Sequence, residues 1–205
     1  MDSVFGIDLS GISRSAVGRT VVAEVVLEAR PRLVALYPIG RGLSGDREIV
    51  DLVAERRPLV VAIDAPLSLP HGVTCRDPRC GRCEPGLGSY LTRDVDTLAG
   101  GMSTSQLAPI AFRGIFIARV LGERAPGLAV IETYPRAVLR ALGLHDGSGR
   151  DPSGAAAALA RLVDGVSTTQ PDELDAIAAA LAAAQYAARA VVGLDGTIWR
   201  IATQT

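Results

Sequence analysis

The 205-residue chain contains no lysine and no asparagine. Without a lysine there can be no Schiff-base amine, no Ser–Lys dyad and no P-loop lysine under a phosphate. All 21 basic residues are arginines. One reading is that arginine serves forked phosphate contacts. The joint loss of lysine and asparagine is better explained by a GC-rich genome that avoids the codons of both. Histidine is scarce too: His71 and His145 are the two, and neither stands in a nucleophile motif, which argues against a serine or cysteine hydrolase. His145, within Gly-Leu-His-Asp-Gly, reads as a surface residue.

Charge of one sign is also lacking. The formal net charge is -1, so no global basic field would hold nucleic acid, and a polyphosphate partner would need a local arginine patch. Charges interrupt every apolar run before it could span a bilayer. Asp2 and the absence of a basic leader speak against a secretory signal. The expectation is a soluble cytoplasmic protein with no membrane partner. Apolar residues make up 48% of the chain and mean hydropathy is +0.28, the balance of a folded globule. With no linker and no internal repeat, 1–205 reads as one domain.

What is present is organised around the first strand, Val4–Leu9, an apolar run that carries one acid, Asp8. A lone carboxylate in such a run is costly to bury, so it calls for a cation, a donor, or other acids sharing one. Thr20–Glu28 and Arg32–Ile39 follow as two more strands with short connections, an antiparallel meander. Asp46–Arg56 has helical periodicity, with Ser44 as its expected cap. Pro58 resets the chain into a continuous apolar strand, Leu59–Ile63, of the kind covered on both faces. From 66 to 103 the periodicity fails, and Pro, Gly and all three Cys collect there as a loop insertion. Beyond it the pattern predicts a helix at Ser105–Arg124, a strand at Leu128–Glu132, and helices at Pro135–Leu142, Pro152–Val163 and Pro171–Val192, the last ended by Gly193. Gly196–Ile201 is expected as a terminal edge strand. Five principal strands with these helices make an α/β layer fold of mixed sheet, whose ligands gather beyond the carboxyl ends of the parallel strands.

Four carboxylates stand out against that frame. Asp8 and Asp64 have matching settings: an apolar strand, the acid near its carboxyl end, then a small or kinking residue. Ala65-Pro66 makes the chain leave the sheet. Two acids at adjoining strand ends could share a hard cation such as Mg²⁺. Asp172 and Asp175, at i and i+3, are neighbours on one face of the last helix. Each has a plainer explanation as well. Asp172 or Glu173 in a first helical turn benefits from the helix dipole, and Asp8 and Asp64 could accept bonds from the turns that follow them. Asp175 is harder to explain that way, since it interrupts an alanine-rich apolar face. Glu132 is open between an active-site acid and a cap for the Pro135 helix. Arg93, in Thr-Arg-Asp-Val-Asp with Asp94 and Asp96, is open between a phosphate contact and a surface ion pair.

Gly6-Ile7-Asp8, Ala62-Ile63-Asp64-Ala65-Pro66-Leu67, Glu132-Thr133-Tyr134-Pro135 and Asp172-Glu173-Leu174-Asp175-Ala176 together resemble the predicted nucleases of RNase H-like fold, a group of unknown function. The similarity runs from the first strand to the last helix. It implies an RNase H-like mixed five-stranded sheet flanked by helices, distantly similar to Holliday-junction resolvases, with the Cys-containing loop as an insertion. In such enzymes a first-strand Asp, a fourth-strand acid and an Asp-x-x-Asp on the final helix bind the metals. Carried over by motif, these are Asp8, Asp64, Asp172 and Asp175, with Glu173 a competing ligand and Glu132 a further candidate. Ser10 and Arg93 are the candidate substrate contacts. The implied chemistry is phosphodiester hydrolysis of DNA or RNA by two Mg²⁺ or Mn²⁺ ions about 4 Å apart.

Two other functions stay open. Gly6-Ile7-Asp8-Leu9-Ser10-Gly11 also resembles the first phosphate-binding turn of sugar-kinase and actin-like proteins, which would make a phosphotransferase; those proteins use two such domains and this chain has room for one. The other is a non-catalytic nucleotide- or nucleic-acid-binding module. Separately, Cys75, Cys80 and Cys83 with His71 give four ligands in thirteen positions, a set that could close a structural Zn²⁺ site. The spacing is tighter than the usual paired knuckles, and reduced thiols are the alternative.

Overall fold

The computed structural model describes the chain except residues 12–18, 41, 78, 82–90, 94, 97–106, 144–150, 190, 194–197 and 202–205, with backbone alone at 42–44, 191–193 and 198–201. Strands β1 (Ser3–Asp8), β2 (Thr20–Val26) and β3 (Arg32–Ile39) pair antiparallel in sequence order. Helix α1 (Gly42–Arg56) then crosses over to β4 (Val60–Asp64), which lies parallel to β1. After the insertion and its one-turn helix α2 (His71–Thr74), α3 (Ala108–Arg124) crosses to β5 (Ala129–Thr133), parallel to β4. Three helices follow: α4 (Pro135–Ala141), α5 (Pro152–Leu162) and α6 (Pro171–Ala187). The chain ends in β6 (Val191–Gly193) and β7 (Ile198–Ile201). The sheet order is β3-β2-β1-β4-β5-β7-β6.

The expected five strands are the contiguous part β3 to β5, so the α/β mixed sheet forms as anticipated, and two short strands extend it. Four details differ from the expectations. The last helix stops at Ala187 rather than Val192, because Arg189 takes a left-handed conformation (φ 56°) that no helix continues through. Val191–Gly193 is a strand, so Gly193 ends β6 instead of a helix. The terminal strand β7 is internal, held between β5 and β6, and the edge is β6. Helix α1 opens at Gly42, which leaves Ser44 inside its first turn and not before it.

Both faces of the sheet are covered, which is why β1 and β4 read as apolar runs up to their terminal acids and β2 is broken only by buried Glu24. On one face Val4, Val60, Ala62 and Ile131 pack with α4, α5 and the alanines of α6. On the other, Phe5, Ile7, Val61 and Ile63 pack with Ile49 and Val53 of α1 and Ile117 and Leu121 of α3. Glycine brings a helix close on each side. A Cβ at Gly6 would lie 2.0 Å from Ala180 N and 2.2 Å from Ala176 O, so the backbone of α6 rests directly on β1. A Cβ at Gly114 would lie 2.8 Å from Ala65 Cβ, so this glycine seats α3 on the turn that leaves β4. Pro109 is accommodated in the first turn of α3, where its missing N–H costs no bond.

Candidate metal-binding and catalytic site

β1 and β4 run parallel in register, with Val4 opposite Val60 and Asp8 opposite Asp64. The two acids therefore end adjacent strands at the same level. Side chains alternate along a strand, and Val4 with Ala62 belong to the α6 face, so Asp8 and Asp64 project to that face as well. The close seat of α6 on Gly6 delivers the third acid. Ala176 O is one of the atoms against Gly6, and Asp175 is the residue before it. Asp8, Asp64 and Asp175 line one cavity of about 230 Å³ at the carboxyl ends of the parallel strands.

The other acids of the last helix take different places. The Asp172 carboxylate accepts the Arg19 backbone N–H at 2.7 Å, and neither Asp172 nor Glu173 lines the cavity. The i, i+3 pair is thus divided: one acid faces the site and the other ties the start of α6 to the entrance of β2. Ser10 does not line the cavity either. Its N–H donates to Thr20 Oγ1 at 3.1 Å and its hydroxyl pairs with the same oxygen at 3.0 Å. Arg113 Nη1 donates to the Ser10 carbonyl (2.8 Å) and to Thr20 Oγ1 (2.9 Å), while its Nε pairs with buried Asp46. This clamp fixes the chain two residues past Asp8. Arg113 Nη2 is buried and has no hydrogen-bond partner among the described residues.

Arg93, Asp96 and Glu132 line the same cavity as Asp8, Asp64 and Asp175, and the first three form one buried assembly. Arg93 is 8% exposed and Glu132 3%. Glu132 accepts Arg93 Nη1 and Nη2 at 2.8 and 2.6 Å in a fork, and also the Leu67 backbone N–H at 2.7 Å. Asp96 Oδ1 accepts Arg93 Nε and Nη2 at 3.0 and 2.7 Å, Asp96 Oδ2 accepts the Arg93 backbone N–H, and Arg93 Nη1 also donates to Ser68 Oγ. The guanidinium has five N–H groups and these contacts engage all of its nitrogens, so the Arg–Asp pair forms with Asp96 as a buried pair and not on the surface, and Glu132 shares the cation. Burial alone would lower its pKa; the bonds to Glu132 and Asp96 outweigh that and hold it above the usual arginine range. Glu132 does not cap α4, whose N-cap residue Tyr134 has no side-chain cap bond; it lines the cavity with Asp8, Asp64 and Asp175. It is the carboxylate that fastens the insertion to β5.

Thr133, Tyr134 and Arg136, polar residues not singled out in the sequence, also line the cavity. Thr133 follows Glu132, which lies opposite Ile63, so it falls at the level of Asp64. Arg136 is exposed in the first turn of α4. Its signal was a cation at a helix start, where the dipole disfavours positive charge; beside three carboxylates that placement makes sense. Among the described residues, candidate ligand atoms all within 4.8 Å of one another occur at His71, Cys75 and Cys80 and in no group of three acids. Cys83, Asp94 and His145 lie outside the described residues.

Carboxylates are the ligand type that suits a hard divalent cation and arginine the type that suits a phosphate, and this cavity is lined by both. No family model matches the chain, and no curated protein matches it. Among solved structures, Thermus thermophilus RuvC in complex with Holliday junction substrate matches with TM-score 0.55 at 17% identity, covering 91% of this chain and 95% of that one. A second Thermus thermophilus RuvC structure matches with TM-score 0.50 at 16% identity, covering 91% and 96%. A fowlpox virus resolvase bound to Holliday junction DNA gives 0.44 at 12% identity, too loose to carry an argument. The chain has the RNase H-like fold of these proteins and is distantly similar in structure to the RuvC resolvase.

Proposed function

We propose that the protein is a metal-dependent nuclease that hydrolyses phosphodiester bonds in DNA or RNA. The observation that carries this is the in-register placement of Asp8 and Asp64 on neighbouring parallel strands, with Asp175 lining the same cavity. The fold likeness to RuvC, solved with a junction substrate, supports nucleic acid as the partner. Asp8, Asp64 and Asp175 would hold Mg²⁺ or Mn²⁺. Asp172 accepts Arg19 N through one oxygen and does not line the cavity, so it stands outside this ligand set. When bound, such ions activate water and stabilise the leaving oxygen. The chain's own groups do the rest. Arg136 at the rim would take a phosphate oxygen of the substrate, the role first considered for Arg93. The buried Arg93–Glu132–Asp96 assembly would keep the wall rigid, so that the acids hold their spacing.

Labelled single-stranded, duplex and branched DNA and RNA, incubated with Mg²⁺ or Mn²⁺, test the reading. Cleavage should require the ion, vanish in Asp8→Asn and Asp64→Asn, and leave both variants folded by circular dichroism. Activity equal to the parent in both purified variants refutes the assignment.

A further inference from the structure

A second group of ligands lies outside the carboxylate cavity and is built from softer atoms. α2 is a single turn in which the Cys75 N–H bonds to His71 O at 2.8 Å, closing an i, i+4 turn that sets His71 and Cys75 side by side. A second turn follows. The Arg79 N–H bonds to Asp77 Oδ1 at 2.9 Å and the Cys80 N–H to Asp77 O at 3.1 Å. That reversal returns Cys80 to the first turn, with its sulfur 3.2 Å from His71 Nε2. The ligand atoms of His71, Cys75 and Cys80 all lie within 4.8 Å of one another. All three residues are half-buried, and neither Cys75 nor Cys80 is in a disulfide.

We propose that His71, Cys75 and Cys80 bind one structural Zn²⁺. A tetrahedral zinc with bonds of about 2.3 Å to sulfur and about 2.0–2.1 Å to nitrogen spaces its ligand atoms roughly 3.5–3.8 Å apart. The observed group needs shifts of only about an ångström to meet that. The charges also balance: both thiols release their protons to solvent on binding, and two thiolates with a neutral imidazole neutralise the ion. Thiolate and imidazole select zinc over the hard cations suited to the carboxylate cavity. In the sequence Cys83 stands three positions beyond Cys80, outside the described residues.

The site has a structural consequence. The segment between β4 and α3 has little regular structure among its described residues, yet Leu67 and Ser68 from it bond to Glu132 and Arg93. A zinc at His71, three residues on, pins that segment where it forms the cavity wall.

The test uses full-length protein purified without a polyhistidine tag or chelator. Elemental analysis should find one zinc per chain. Protein stripped of metal should take up Co²⁺ with the visible bands of a tetrahedral ion and sulfur-to-cobalt charge transfer in the near ultraviolet. Cys80→Ser should weaken zinc binding by more than the 10–100-fold typical of losing an outer-shell partner, whereas Asp8→Asn should keep the zinc. Cobalt titration of the unmutated chain decides the matter even if a variant fails to fold. Less than a tenth of an equivalent of zinc with no tetrahedral cobalt spectrum overturns the proposal, as does zinc retained at parental affinity by both Cys75→Ser and Cys80→Ser. None of these readouts depends on nuclease activity.

Discussion

Replacing Gly6 by alanine tests the contact that assembles the site. The new methyl would lie 2.0 Å from Ala180 N, 2.2 Å from Ala176 O and 2.7 Å from Ala179 C. All three are backbone atoms of a buried helix, so no rotamer change relieves the overlap. Ordinary carbon contacts begin at about 3.5 Å, so α6 must withdraw from β1 by more than an ångström, or β1 must bend. Overpacking a core costs about 1–3 kcal/mol and occasionally more. Here the obstacle is main chain, and ten residues of α6 from Leu174 to Ala184 are buried, so withdrawal also loosens their packing. We expect about 3 kcal/mol or more, which at about 2–4 °C per kcal/mol for a chain of this size lowers Tm by about 6–12 °C. The loss should appear in thermal and urea unfolding followed by circular dichroism. Gly122→Ala is the control: a Cβ there meets nothing within 4 Å, and α3 gains helix propensity, so stability should hold or rise by up to about 1 kcal/mol. A Gly6→Ala protein that melts with the parent would refute the close seating of α6, and with it the account of how Asp175 reaches Asp8 and Asp64.

Three further outcomes follow from the same geometry. Arg93→Met leaves Glu132 and Asp96 buried without their cation and should cost about 3–5 kcal/mol; adding Glu132→Gln should recover part of it, and two additive losses in a double-mutant cycle would contradict the coupling. Mn²⁺ at a hundred times its Kd should stabilise the parent by about 2.7 kcal/mol, read as a rise in Tm, and Asp64→Asn should abolish the rise; an equal rise in both places the ion elsewhere. Tyr37 donates to Glu24 at 2.6 Å, and burial, then the Glu24 bond and charge, raise the phenol pKa above 10. The unfolded phenol ionises first, so this contribution is complete below about pH 10 and is lost as pH rises through the raised value. Tyr37→Phe should flatten that decline, while costing about 1–3 kcal/mol at neutral pH because the Glu24 carboxylate loses its donor; an unchanged alkaline limb would count against it.

The order of elements and the two strand acids were legible in the sequence, because each depends on local chemistry. An apolar run that ends in Asp and then turns away at Ser-Gly or Ala-Pro describes one strand end wherever it lies, and Asp8 and Asp64 share that description. Continuous apolar strands separated by a helical period imply a covered, parallel pair, and β1 and β4 are one. The end of α6 was not legible. Alanine continues a helix as readily after 187 as before it, and the stop is a left-handed arginine that carries no residue-type signal.

Only the tertiary structure decided which polar groups meet. Asp172 and Asp175 occupy one helix face, and periodicity cannot rank them; the seat of α6 on Gly6 turns the second toward the cavity and leaves the first to Arg19 N. Asp96 stood near Arg93 in the sequence as a candidate partner, but the second partner, Glu132, lies 39 positions away. Thr133 and Arg136 were passed over for the same reason, since neither has a local pattern that announces the acids beside it. Sequence fixes what each segment can bury and where it must turn. Which charges then face one another depends on register and on helix depth, measured in ångströms across the sheet, and no local pattern encodes those.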